Sequence, residues 1–358
     1  MKNKTLCFLT ASAVSLSVMC NTLTASAAEN LYSGWLLWHS YSDYSALDSQ
    51  LYLRSPNGDI TEISGDFVHG MNGDFGSSPT DIVFMAIDKS ADEWDIYRYN
   101  DITGKITNLT PKSGYRNEDP KFSPDGLHIV FKRGFWDHSR NDFTYNLAEM
   151  NLHSGEVKML TDDTKEQSMP YYSGDGKYIY YSEYENGIST ICRLDRQTAE
   201  KETVFAENGV TAYYPITAGD DLYFSRWHSA DNRNDKIVRF CAGEFSDMPF
   251  NSPDYNCSDF CYVGGNNMIY SSTKNGGYDL FFFDGNESYP LEYASTNKNE
   301  LGAAFYSVDE IKKYAADSAQ FLLGAESPCK NYDVNGDGTA NSADMIHIRE
   351  KISREIAE

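Results

Sequence analysis

The stretch "EDPKFSPDGLHIVFKRGFWDHSRNDFTYNLAEMNLHSGEVKMLT", residues 118–161, contains four short β-type runs separated by turns. EDPKF leads into SPDG, whose Pro124, Asp125 and Gly126 suit a tight reversal. HIVF follows, then a long polar loop, then NLAEMN, then a Gly-containing turn and EVKMLT. Apolar and polar positions alternate within these runs, as half-buried strands require and helices do not.

The same unit recurs on both sides. Its anchor strand reads WLLW (35–38), DIVF (81–84), HIVF (128–131), YIYY (178–181), DLYF (221–224) and NMIY (267–270). The last aromatics are Trp38, Phe84, Phe131, Tyr181, Phe224 and Tyr270, at steps of 46, 47, 50, 43 and 46 residues. Six copies at a nearly constant step predict an all-β chain, a six-bladed β-propeller with four strands per blade. A leading strand is visible before each later turn, as in SMPYY (168–172), TAYYP (211–215) and CSDFC (257–261). The first unit lacks one, and a matching strand, ELGAAFY (300–306), stands after the sixth. The C-terminal strand is therefore expected to close the ring as the innermost strand of blade one, removing two open edges.

Strand, SPDG, strand and D(I/L)Y strand, in that order, resemble the TolB-like six-bladed β-propellers. Phe122, Pro124, Asp125 and Gly126 match best, and the later turns are degenerate. The resemblance covers most of the chain and implies architecture rather than chemistry, because the shared residues are turn and core positions.

Residues 1–27 begin with Lys2 and Lys4, continue through an apolar run and end in Ala25-Ser26-Ala27. They read as a signal peptide for export. The expected division is 1–27 signal peptide, 28–306 propeller and 307–358 a small C-terminal module. The whole chain carries a formal charge of −23, and without the leader the balance is 28 − 53 = −25. Such a surface repels phosphate backbones and anionic lipid, which disfavours nucleic-acid binding and membrane insertion. Cys192, Cys241, Cys257, Cys261 and Cys329 are too few and too scattered for a disulfide framework.

The module contains DVNGDGTANSAD (333–344). Asp333, Asn335, Asp337, Thr339 through its carbonyl, Asn341 and Asp344 fall at loop positions 1, 3, 5, 7, 9 and 12, with Gly338 at 6. Oxygen donors at these steps suit a hard cation, so Ca²⁺ is the expected cofactor. Loop and following helix resemble a dockerin, the module that binds a cohesin of a cellulosomal scaffoldin. By that resemblance Met345, Ile346, Ile348, Arg349 and Ile352 would face the cohesin. Dockerins usually carry two such loops. Here the preceding stretch, 307–324, has helical periodicity without a loop of its own.

Chemical character elsewhere lies in the long loops after the odd-numbered anchors, where Trp and His stand close together: Trp38/His39, Trp136/His138 and Trp227/His228. Propeller topology puts these on one face with the entries to the innermost strands, near His69, Glu118 and Asp119. Aromatic planes beside hydrogen-bonding groups suit a sugar ring. The candidate ligand-binding set is His39, His69, Glu118, Asp119, Trp136, His138, Arg226, Trp227 and His228, and Trp38 reads as core. Carboxylates such as Asp137, Asp142, Asp231, Asp235 and Glu300 provide pairs for glycoside cleavage, but an acid-rich chain supplies such pairs anywhere. No G-x-S-x-G elbow, phosphate loop or dinucleotide fingerprint is present. The resulting expectation is a secreted, monomeric, cellulosome-attached propeller that recognises plant cell-wall polysaccharide or a protein partner. The alternative is a propeller-type polysaccharide lyase or glycoside hydrolase.

Overall fold

The computed structural model describes residues 32–90, 93–139, 141–228, 233–324 and 330–356. The proposed signal peptide, Asp231 and Cys329 lie outside the described residues. Among those described, six four-stranded antiparallel sheets form the blades of a propeller. Blade one joins Asn299–Ser307, Gly34–Tyr41, Gln50–Arg54 and Ile60–Glu62, so the C-terminal strand closes the ring as its innermost member. Trp35 pairs with Tyr306, and Leu37 with Ala304, across that closure.

The anchor aromatics pack between neighbouring blades: Phe84, Phe131, Tyr181 and Phe224 are completely buried and Tyr270 nearly so. Blade two opens with His69–Phe75, a strand whose Gly, Asn and Asp content does not read as β. Its place against the second strand, Asp81–Ile87, overrides that weak propensity.

Each innermost strand carries a residue with φ between 43° and 64°: Gly302, Asn72, Asp119, Met169, Tyr214 and Asp259; that of blade six also carries Gly264 at 136°. At each of these six sites the register to the second strand slips in a β-bulge, and blade six slips a second time between Tyr262 and Gly264. At Gly302 a Cβ would lie 2.5 Å from the His39 ring, so a side chain there is excluded by contact as well as by φ. The bulges narrow the central channel. Asn72 Nδ2 donates to Asp119 Oδ1 at 2.6 Å, and the space left beside them, Met169 and Tyr214 is about 10 Å³, near the lower limit for one water. Below this waist the channel widens to about 460 Å³ and reaches Glu310 of the C-terminal region.

That region comprises helix α1 (Val308–Leu322) and helix α2 (Ser342–Glu355). Strand 299–307 runs directly into α1, capped by Ser307 and Glu310 in a reciprocal box. α2 is capped likewise by Asn341 and Asp344. Both helices dock on the lower face, where the SPDG-type turns lie. Val308, Ile311, Tyr314, Tyr332, Val334, Met345 and Ile348 join one hydrophobic cluster with Trp35, Leu53, Phe75, Phe84 and Tyr97 of blades one and two. Polar ties accompany this contact. Trp35 Nε1 donates to Glu355 Oε2 at 2.7 Å, Asn100 Nδ2 donates to the Val334 carbonyl at 2.7 Å, and the Lys351 ammonium meets Asp101 and Glu355.

This docking corrects the expected exposed stripe on α2. Met345 and Ile348 are buried and Ile352 is packed against the shared cluster, whereas Ile346 and Arg349 remain exposed. An apolar stripe at helical spacing must be covered, and here the propeller covers it.

Candidate functional site

On the upper face, where each outer strand hands over to the next blade, a cavity of about 280 Å³ opens between blades four and five. Blade four contributes Glu166 and Ser168 from its innermost strand, Ser182 and Tyr184 from its second, and Ser189 from its third. Blade five contributes Thr211, Tyr213, Trp227 and the following Arg233. The alternation of strand side chains explains the grouping. Ser182 and Tyr184 share a face, as do Thr211 and Tyr213. Thr211 sits directly across from Trp227, and Ser168 across from Ser182.

The polar groups of this cavity fall into two classes. The charges are paired: Glu166 with the Lys132 ammonium at 2.8 Å, and Arg233 with Asp235 at 2.7 Å. Arg233 also donates to the Tyr213 hydroxyl at 2.9 Å and lies over the rings of Trp227 and Tyr213. The hydroxyls of Ser182 and Thr211, by contrast, are buried and have no hydrogen-bond partner among the described residues. Buried hydroxyls are normally satisfied. Two of them beside the half-buried Trp227 and the exposed Tyr184 suit a neutral, hydroxyl-bearing ring.

A chain of contacts leads from this cavity toward the channel. The Tyr213 hydroxyl meets Ser258 Oγ at 3.2 Å, and Ser258 Oγ donates to Asp259 Oδ1 at 2.7 Å. Burial pushes the Asp259 carboxyl up to about 6, with the Ser258 bond pulling the other way and Asp235 adding to the rise. Asp259 does not line the cavity.

The structure distributes the residues expected at the rim. Trp227 lines the cavity. Trp136 is exposed on the long hairpin 128–151 of blade three and packs edge-on against Phe143, with His138 exposed beside it. His228 is exposed at the end of its strand. Arg226 is turned outward into ion pairs with Glu207 and Asp247. Glu118 pairs with Arg116 and Lys132, and Asp119 is held by Asn72 at the waist. His39 and His69 are buried rather than at the rim. Burial, then the nearby His69 and Lys121, lower the His39 pKa to about 3, and burial lowers that of His69. His69 accepts the Ser49 N–H and packs against Trp94. The expected set is therefore not one site. Ser182, Tyr184, Thr211, Tyr213 and Arg233 were not foreseen, because no local motif marks serines and threonines that meet across two blades.

In the loop 333–344 the candidate donors are all oxygens, and Gly336 and Gly338 take left-handed φ values of 71° and 90°. Asp333 accepts the Gly338 and Asp337 N–H groups, Asn335 also accepts the latter, and Asp337 accepts that of Thr339. Asp344 accepts from Val334, Asn335 and Asn341. A carboxylate has about four lone-pair sites, so these bonds leave capacity for a cation. Among the described residues no three His, Cys, Asp or Glu side chains converge as a metal-holding group. The loop suits Ca²⁺ in donor type and spacing.

No family model and no curated protein matches the chain. Among solved structures, TolB from Acinetobacter baumannii superposes with a TM-score of 0.60 at 18% identity, covering 76% of this chain and 67% of that one. The hydrazine synthase of Kuenenia stuttgartiensis gives 0.66 at 12% identity over 79% of this chain and 48% of that one. A chain of a nidogen/laminin complex gives 0.55 at 10% identity over 76% and 98%. Identities this low carry the fold alone. The chain is built as a six-bladed β-propeller, the fold it shares with TolB, with a C-terminal helical module.

Proposed function

We propose that this protein is a secreted, non-catalytic polysaccharide-binding propeller whose ligand site is the cavity between blades four and five. The observation that carries the reading is the pair of unpartnered buried hydroxyls, Ser182 and Thr211, beside Trp227 and Tyr184. Paired charges inside the cavity and a chain charge of −23 favour a neutral glycan, such as a plant cell-wall xylan or glucan, over a polyanion. Binding is favoured over cleavage because the carboxylate that lines the cavity, Glu166, is held by the Lys132 ammonium, and Asp259 is separated from the cavity by Ser258 and Tyr213. A general acid must come within hydrogen-bond reach of its substrate.

The test is retardation of the protein in gels containing xylan, β-glucan or pectin, with product analysis of the same mixtures. Retardation without new reducing ends or unsaturated uronides supports the reading. New products would establish the lyase or hydrolase alternative, and neither result on any glycan would leave a protein ligand as the better account.

For the tail, the proposal is a calcium-stabilised helical module. Cohesin capture is a second reading, favoured by the twelve-residue loop and by the exposure of Ile346 and Arg349. It requires the cohesin to approach the side of α2 that faces away from the propeller. Capture by immobilised cohesin, lost on chelation, is its test.

A further inference from the structure

We propose that the groove between blades six and one is a second saccharide subsite, anchored by Glu300. This rests on the saccharide reading of the first cavity and concerns a different part of the ring. The groove has a volume of about 320 Å³ and is walled by Trp38, Tyr52, Tyr293, Thr296, Lys298 and Glu300.

Glu300 is completely buried. Its Oε1 accepts from Ser40 Oγ at 2.9 Å and from Thr296 Oγ1, while Oε2 has no partner among the described residues. No Lys, Arg or His lies within ion-pair distance of it among those residues, although Lys298 lines the same groove. Burial raises the pKa of this carboxyl, and the nearby Asp279 adds to that effect.

Glu300 lines the groove and one of its carboxyl oxygens still lacks a donor among the described residues, so a ligand seated there can supply one. The walls narrow the choice of ligand. Glu300 disfavours an anion, and Lys298 disfavours a cation. Tyr52 and Tyr293 are half-buried and offer apolar ring surface, with Arg54 already over part of Tyr293. Trp38 stacks on Tyr52 and is itself almost fully covered, so it supports the wall rather than receiving the ligand. A neutral ring bearing hydroxyls satisfies every wall: its O–H donates to Glu300 Oε2, and its C–H face meets the tyrosines. The two cavities lie on seams two blades apart, so each can be removed without touching the other.

The experiment is calorimetric titration of full-length protein with xylohexaose and with cellohexaose. Wild type is compared with Trp227→Ala, Glu300→Gln and Asn297→Trp, the last filling the mouth of the groove from an exposed position. The expected result is two sites in wild type and one in Trp227→Ala. Asn297→Trp loses the other site, and Glu300→Gln weakens that same site at least tenfold. If Glu300→Gln fails to fold, Asn297→Trp carries the test. Loss of all binding in Trp227→Ala, with Asn297→Trp indistinguishable from wild type, overturns the second subsite and leaves the first intact. No binding by wild type to either probe overturns both.

Discussion

Trp35 donates its indole N–H to the carboxylate of Glu355, 320 residues later, at 2.7 Å. The bond joins the strand that starts blade one to the last turn of the chain's final helix. Lys351 lies over the same indole and holds Glu355 and Asp101 together. Burial pushes the Glu355 carboxyl up, but the Lys351 ammonium and the donors of Arg354 and Trp35 outweigh it and hold the group below its usual value. The tail is thus bound to the propeller by a shared apolar cluster and a buried charge cluster.

Removing one member of a buried ion cluster leaves the others uncompensated, at a cost of about 3–5 kcal/mol. Lys351→Met is expected to destabilise the whole chain by that amount in urea unfolding, with a single transition. Trp35→Ala is expected to cost a similar ~3–5 kcal/mol through the cavity it leaves. A separate low-stability transition, with the propeller's own midpoint unchanged, would contradict the shared core.

Calcium should act on the same element. A ligand at a hundred times its Kd adds about 2.7 kcal/mol to the state that binds it. The loop's Val334 carbonyl accepts from Asn100 of blade two, so loop and propeller are mechanically joined. Calcium is therefore expected to raise the melting temperature of the intact chain. The Asp333→Ala, Asp337→Ala double variant should melt like the chelated wild type with or without calcium. A calcium shift that survives in this variant would place the ion elsewhere.

The Asp259 carboxyl, on the innermost strand of blade six, gives a pH signature. Raised from 3.8 to about 6, Asp259 holds its proton more tightly in the folded state. Its contribution to stability is complete below pH 3.8 and is lost as pH rises through about 6. His39, lowered to about 3, acts in the opposite sense, adding stability as pH rises toward 6.5. Asp259→Asn isolates the first effect, since Asn Oδ1 can still accept from Ser258. The variant is expected to melt higher than wild type at pH 7.5 and close to it at pH 4. Equal melting at both values would argue that the carboxyl is not desolvated.

The two rim tryptophans should behave differently. Trp136 packs against Phe143 on an exposed hairpin, whereas Trp227 lines the cavity. Trp136→Ala is expected to leave glycan retardation within twofold of wild type, and Trp227→Ala to weaken it by the share that the cavity between blades four and five contributes. Equal losses would mean that the ligand spans blades three to five.

Six anchor aromatics at steps of 43 to 50 residues were enough to read the ring and its closure, because each blade must bury the same inter-blade position. The strand His69–Phe75 was not readable, since its Gly, Asn and Asp serve a channel-lining bulge rather than strand propensity. The stripe Met345, Ile348 and Ile352 reads the same whether a partner protein or the chain's own propeller covers it, so docking could not be inferred from periodicity. Trp227 was visible as an aromatic in a polar loop. Ser182 and Thr211 were not, because only the folded ring brings them to one cavity and leaves their hydroxyls unpartnered.

The most direct test of the central claim is calorimetric titration of the retarding oligosaccharide into a Ser182→Ala, Thr211→Val double variant. These changes keep the shape of the cavity between blades four and five and remove only the two hydroxyls. The expected result is an affinity at least tenfold below wild type with an unchanged melting temperature. Wild-type affinity in that variant would contradict the assignment of this cavity as the glycan site.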